Sequence, residues 1–261
     1  MAPLGTLHVV LLATDRTEAR RLEEVRRDFV ANVSHELKTP VGALGLLSEA
    51  MQDAADDPEA VRRFAGRMQV ESRRLALLVH DVVELSRLQD GVPLAAPERV
   101  DLDEVVGEAV DRCRLVADAR GIAVDVGDPS GAHVLGDGEL LTTAVRNLVD
   151  NALRYSDPGT RVGVGVQARD AWVEVAVTDQ GIGIGPEERE RVFERFYRVD
   201  PARSRVTGGT GLGLSIVKHV AAGHGGDVRL WSQAGQGSTF TLRLPRARAA
   251  AEHVVEEERT A

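Results

Sequence analysis

NVSHELKTP, residues 32–40, decides how the first third of the chain is read. It places His35 beside Glu36 and five residues before Pro40, in the middle of a long amphipathic pattern. Apolar residues recur at Leu22, Val25, Phe29, Val33, Leu37, Val41, Leu44 and Leu47. Those steps of three and four mark one face of a helix, with Thr14 or Asp15 as its N-cap. Thr39, four residues on, shares the face of His35, whereas the adjacent Glu36 points about 100° away. Pro40 removes one helix hydrogen bond and is expected to kink the rod. Gly42 weakens it further, by up to about 1 kcal/mol. The pattern ends near residues 51–56. DAADDPEA (53–60) reads as a turn, and Pro58 opens a second helix. That helix carries Val61, Phe64, Met68, Leu75, Leu78, Val82, Leu85 and Leu88. Two such helices form an antiparallel hairpin, and a homodimeric four-helix bundle would cover the stripe that one hairpin leaves open. Without the His35 stretch, a plain coiled-coil spacer would explain the same pattern.

The whole chain sets outer limits. Its 261 residues carry 43% hydrophobic side chains but only 3% aromatic ones, so the core is expected to be aliphatic. A net charge of -9 argues against nucleic acid as a partner. The single Cys113 rules out an internal disulfide and fits a reducing compartment. LHVVLLA (7–13) is far shorter than the ~20 residues of a membrane helix. It reads as a strand with no partner nearby, so residues 1–19 are expected to be the remnant of a preceding sensor domain and the start of a signalling helix.

GVPLAAPERV (91–100) reads as a linker between a 20–90 hairpin domain and a 101–246 domain of different pattern. The second domain should hold a helix closed by Gly121, strands IAVDV and HVLG, and a helix DGELLTTAVRNLVDNALRYS. A strand hairpin over 160–179, a short helix from Pro186, a helix ended by Gly225 and two final strands follow. Helices on one face of a mixed sheet give an α/β sandwich, so the chain as a whole is α+β. The Ala- and Glu-rich tail, 247–261, is expected to be disordered.

Four stretches in the second domain point to a nucleotide. NLVDN puts Asn147 and Asn151 on one helical face. DQGIGIG (179–185) sets an acid before alternating glycines, ERFYR lies at 194–198, and GGTGLGLS (208–215) runs straight into a helix. Glycine lets backbone approach a ligand closely, a helix N-terminus attracts phosphate, and amide oxygens suit Mg²⁺. Each piece alone also fits a packing turn or a solvated face. Their occurrence together, in this order, carries the reading.

With NVSHELKTP, these stretches resemble the H, N, G1, F and G2 boxes of the cytoplasmic transmitter of bacterial sensor histidine kinases, and GQGSTF (235–240) resembles a further glycine box. The resemblance spans roughly residues 20–245 and is nearest to the phosphate-sensing subgroup, in which a PAS-type domain often precedes the helix. It implies a Bergerat-type ATP-binding domain after a dimeric phosphoacceptor hairpin. His35 becomes the phosphoacceptor, Glu36 its acidic neighbour, and Thr39 the residue that helps place water for dephosphorylating the partner. ATP and Mg²⁺ are the implied cofactors. Asp179 would accept from the adenine amine, Gly181 and Gly183 would shape the adenine floor, and Tyr155 would pack at the nucleotide. Asn151, with Asn147 beside it, would ligate Mg²⁺, and Arg154 stands where lysine is usual. Gly209, Thr210, Gly211, Leu212 and Gly213 would form the lid hinge and phosphate cradle. In the lid, VDPARSRVTGG (199–209), Arg203 or Arg205 would reach the γ-phosphate or simply be solvated.

The implied function is ATP-dependent autophosphorylation of His35 and transfer to an aspartate of a response regulator, with phosphatase activity. The expected location is the cytoplasm, at the inner face of the membrane if a longer protein carries an N-terminal anchor. The competing readings are an ATPase of the topoisomerase and chaperone kind, or a non-catalytic dimeric scaffold. The ATPases need a carboxylate to activate water, often where Asn147 stands.

Overall fold

The structure, a computed structural model, describes residues 17–89, 97–199 and 209–247. The expected strand at 7–13, its Thr14 or Asp15 cap, Arg203, Arg205 and the tail from residue 248 lie outside these. The chain divides into two compact units, Met1–Glu71 and Ser72–Ala261.

In the first unit, helix α1 (Thr17–Asp53) contains Pro40 and runs through it unbroken. The turns before the proline carry two side-chain back-bonds. Ser34 Oγ donates to the Val30 carbonyl at 2.8 Å and Thr39 Oγ1 to the His35 carbonyl at 3.3 Å. Bonds of this kind draw a carbonyl away from the helix ladder and favour bending. The turn to helix α2 (Pro58–Gln89) is set by Asp57, whose Oδ1 accepts from the backbone N–H groups of Glu59 and Ala60 at 3.0 and 3.1 Å. Asp57 is thus the N-cap, and Pro58 takes the first helical position, where a missing donor costs nothing. Much of the apolar surface stays open: Val41 is 55% exposed and Leu46 69%.

The second unit starts with the last turns of α2, where Leu78 and Leu85 are buried. Strand β1 (Glu98–Asp101) pairs antiparallel with β3 (His133–Gly136). The expected linker therefore ends sooner than residue 100. ERVD has no apolar alternation, and only pairing with β3 makes it a strand. Helix α3 (Leu102–Arg120) is capped by the Asp101 carboxylate and closed by Gly121 at φ 64°. Strand β2 (Ala123–Val126) follows, then helix α4 (Gly138–Tyr155), capped by Asp137. Strands β4 (Arg161–Arg169) and β5 (Trp172–Thr178) form the expected hairpin. The expected helix from Pro186 is instead a run of turns with one 3₁₀ turn at Arg191–Phe193. There the Arg189 guanidinium bonds the Ser232 carbonyl at 2.6 Å, and this tertiary contact overrides the helical pattern. Helix α5 (Gly213–Gly223) and strands β6 (Asp227–Gln233) and β7 (Gly237–Pro245) complete the unit.

The five-stranded sheet has the order β2-β4-β5-β7-β6. Only β2 and β4 pair in parallel. Helices α3, α4 and α5 pack together, and α4 and α5 lie against the sheet. Alternate residues Val162, Val164, Val173, Val175, Val177, Leu242 and Leu244 meet Leu148, Val149 and Ile216 in a dry aliphatic core. Phe240 is its one fully buried aromatic among the described residues. The α/β sandwich and the helical hairpin are both as expected from the sequence. Among the described residues no helix is long and apolar enough to cross a membrane.

Cys113 of α3 is buried, with its thiol 3.5 Å from Asp150 Oδ1. Burial, then the Asp150 carboxylate, pushes its pKa up to about 12. The reactive thiolate is therefore scarce near neutrality. Iodoacetamide at pH 8 should leave the native protein unmodified and alkylate it fully in denaturant. Rapid native alkylation, read by mass spectrometry, would contradict this burial.

Candidate functional site

A cavity of about 450 Å³ opens in the second unit where three loops converge on α4. One wall is the α4 face carrying Asn147, Asn151, Arg154 and Tyr155. These positions follow from the helix period, and α4 presents them because its other face is buried core. The loop after β5 contributes Asp179, Ile182 and Gly183, and the glycine-rich turn before α5 contributes Gly209, Thr210, Gly211 and Gly213. Gly181 and Leu212 do not line the cavity. The Leu212 side chain is fully buried.

Two of the glycines serve the protein's own backbone. A Cβ on Gly183, at φ 66°, would stand 2.0 Å from the Gln233 carbonyl oxygen, and one on Gly211, at φ 75°, 2.9 Å from Phe196 Cα. Any side chain there would push apart the loops that build the cavity. The Phe196 N–H donates to the Gly211 carbonyl at 2.8 Å, and Phe196 itself sits at φ 62°, a strained conformation for a bulky residue. Arg198 Nη2 donates to the Thr210 carbonyl at 3.1 Å. The loop after β5 is fastened likewise. Ile184 N–H donates to Ser232 Oγ at 2.7 Å, and Ser232 Oγ donates to the Gly237 carbonyl at 3.0 Å.

Asp179, the residue after β5, lines the cavity and is 6% exposed. Its Oδ1 accepts from the backbone N–H groups of Gly181 and Ser238 at 2.8 and 3.2 Å. Both bonds fall on one oxygen, which leaves Oδ2 as an acceptor for a ligand. Burial holds the carboxyl above the usual carboxylate range, and the two N–H groups partly offset this. On α4, Asn147 Nδ2 is buried with no hydrogen-bond partner among the described residues. A buried amide of this kind calls for a ligand or water. Among the described residues no three His, Cys, Asp or Glu side chains converge as a metal cage. The donor set nevertheless fits Mg²⁺ that keeps waters and binds ligand phosphates, because such an ion needs only one or two protein oxygens.

The sequence reading missed part of this wall. Leu77, His80 and Asp81 of α2 also line the cavity, as do Arg146, Asp150 and Arg198. On α2 the apolar stripe was the only signal read, and the polar residues between its members carry no motif.

In the first unit His35 and Thr39 are exposed and Glu36 is half-buried. The other described histidine rings are engaged. His80 faces Glu84 at 3.4 Å, and His133 Nδ1 lies 3.0 Å from the Gly131 carbonyl. His219 lies between Ser215 and Arg195, and His224 between the Val220 carbonyl and the Asp137 N–H. Among the described residues, the ring of His35 alone has no such partner.

An exposed histidine on a helical hairpin, with a sandwich domain whose loops shape an amide-lined cavity, defines a phosphoacceptor module joined to a nucleotide-binding module. Comparison with known proteins agrees. The model of the His kinase A (phospho-acceptor) domain matches residues 25–91, and that of the histidine kinase-, DNA gyrase B- and HSP90-like ATPases matches residues 136–248. The sensor-like histidine kinase SenX3 of Mycolicibacterium smegmatis is 56% identical over 236 residues, 90% of this chain and 62% of that protein. The solved mycobacterial sensor histidine kinase MprB is 38% identical with a TM-score of 0.51, covering 59% of this chain and 99% of that one. Full-length ShkA in complex with AMPPNP is 28% identical with a TM-score of 0.61, covering 86% of this chain and 47% of that one. The chain belongs to the sensor histidine kinase family. It spans 58–62% of the length of its SenX3 relatives.

Proposed function

We propose that the chain is the transmitter part of a two-component sensor kinase, which phosphorylates His35 from ATP and passes the phosphoryl group to an aspartate of a response regulator. The observation that carries this is the open, unpartnered ring of His35 in a chain that also holds the amide-lined cavity. A neutral imidazole offers a nitrogen lone pair to an incoming phosphorus. That nitrogen attacks the γ-phosphorus, an N–P bond forms, the bond to the bridging oxygen breaks and ADP leaves. Glu36 takes up or orients the ring proton. Asp179 Oδ2 accepts from the adenine amine, and Asn151 and Asn147 would hold Mg²⁺, which neutralises phosphate charge when bound. Arg154, whose Nη1 would lie 3.3 Å from a Cβ on Gly209, stands by the turn that receives the phosphates. A reaction that draws on ATP fits the cytoplasm.

Incubation with γ-labelled ATP and Mg²⁺ tests the proposal. Protein-bound label should be acid-labile and alkali-stable, as a phosphoramidate is. Release of free phosphate without labelled protein would favour a plain ATPase.

The exposed Val41 and Leu46 call for a second hairpin, and the functional unit is proposed to be a homodimer. Light scattering should give twice the chain mass at micromolar concentration, and a stable monomer would defeat this.

Thr39 shares the face of His35, and its hydroxyl bonds the His35 carbonyl. Thr39→Ala should keep autophosphorylation, because the hydroxyl is not the nucleophile. It should lose most dephosphorylation of the regulator, since a hydrogen bond to the attacking water is worth about 1–3 kcal/mol at a desolvated site. That loss corresponds to roughly ten- to a hundredfold in rate. Decay of phosphorylated regulator at the parental rate would reduce Thr39 to a helix-face residue.

A further inference from the structure

We propose that Asp81 is a built-in rival of the nucleotide's phosphates: its carboxylate, carried by α2, occupies the glycine-rich turn and must leave when a nucleoside triphosphate enters. The proposal rests on the reading of this cavity as the nucleotide site. Asp81 is 9% exposed and lines the cavity together with Asn147 and Gly209. Thr210 Oγ1 donates to Asp81 Oδ2 at 2.6 Å and accepts from the Leu212 N–H at 3.2 Å. Asp81 therefore bonds, through Thr210, to the backbone that opens α5. A helix start attracts an anion, and here a side-chain carboxylate is held one hydroxyl away from it.

Among the described residues, Thr210 is the one hydrogen-bond partner of the Asp81 carboxylate. Three charged or titratable groups face it, namely Glu84 and His80 of α2 and Arg146 of α4. One turn further on, Glu84 Oε1 accepts from Thr143 Oγ1 of α4 at 3.4 Å, while the buried atom Glu84 Oε2 has no partner among the described residues. Burial raises the Asp81 carboxyl pKa, the Thr210 bond opposes that, and Glu84 adds to it. The clasp is thus held by one short hydrogen bond, and the buried Asp81 carboxylate has the half-buried Glu84 carboxylate near it. A triphosphate in the same cavity would set several negative charges against them. Like charges in a low-dielectric cavity exclude one another, so nucleotide entry and retention of α2 are opposed.

The test is calorimetric titration of the whole chain with Mg-ATP and, separately, with adenosine. Asp81→Asn keeps an acceptor for Thr210 and removes the charge, and Asp81→Ala removes both. Each is expected to bind Mg-ATP roughly tenfold more tightly than the parent. Adenosine, which carries no phosphate, should bind all three proteins alike. In the parent, Mg-ATP should also speed amide exchange across residues 77–86. Unchanged or weaker Mg-ATP binding by both variants overturns the proposal. An equal gain for adenosine does so too, since it would show packing rather than charge at work. Asp179→Asn separates this from failure of the site itself. If it too binds Mg-ATP like the parent, the cavity is not the nucleotide site. If it loses binding while the Asp81 variants match the parent, only the clasp fails.

Discussion

His35→Ala incubated with labelled ATP is expected to carry no acid-labile phosphate, a fall of at least about a thousandfold against the parent. The size of the effect follows from what surrounds the other rings. Phosphorylation needs a neutral nitrogen lone pair that an incoming phosphorus can reach. His224 is buried with both ring nitrogens bonded, and His219 is bonded at both as well. Burial, with Arg195 and Lys218 nearby, also lowers the His219 pKa, so it is neutral but not accessible. His80 and His133 each have one ring nitrogen engaged, by Glu84 and the Gly131 carbonyl, so His35 is the one described histidine with neither nitrogen paired. The variant should bind Mg-ATP as the parent does, because His35 belongs to the first unit and does not line the cavity. Acid-labile label on the variant would move the phosphoacceptor elsewhere and undo the assignment.

The second large effect is expected at Asp179. Asp179→Asn keeps an oxygen for the N–H groups of Gly181 and Ser238 but turns an NH₂ towards the adenine amine. A donor then faces a donor. Loss of a charged hydrogen bond plus one unpaired buried donor comes to about 3–5 kcal/mol, or roughly 10²–10⁴-fold in affinity. The fold should not suffer. A carboxyl whose folded pKa lies above its unfolded 3.8 destabilises the fold at all pH above the folded value. The cost lifts as pH falls through that value, and the amide removes it at neutral pH. The melting temperature of the variant should therefore match or exceed that of the parent. Binding has the opposite sign, since protonation spoils the acceptor. Acidification from pH 7 should weaken ATP binding by the parent before it unfolds the domain. Parent-like affinity in Asp179→Asn, measured by calorimetry, would remove Asp179 from the site.

Elements with their own periodicity were legible in the sequence. The α1 and α2 patterns, the Pro58 start, the Gly121 closure and the β4–β5 hairpin could all be read from residue spacing. What escaped depends on partners distant in the chain. ERVD is a strand because β3 lies beside it, and PEERERVF is turns because Arg189 reaches Ser232. The site residues on α4 and at Asp179 were legible because motif and helical face coincide. Asp81 was not, since a lone aspartate among the apolar positions of α2 looks like any solvated residue. Gly183 and Gly211 make room for Gln233 and Phe196, so loop packing demands them before any ligand does.

The bonds from Phe196 to Gly211 and from Arg198 to Thr210 pin both feet of the segment between them. One foot, at Thr210 and Gly211, belongs to the turn that opens α5. Closing a longer loop between fixed ends costs only about 0.6 kcal/mol per doubling. Evolution can therefore lengthen, shorten or rewrite this span almost freely while the cradle beneath it stays in register. Diversity among relatives should gather between those two staples and thin out sharply at Phe196 and Gly211.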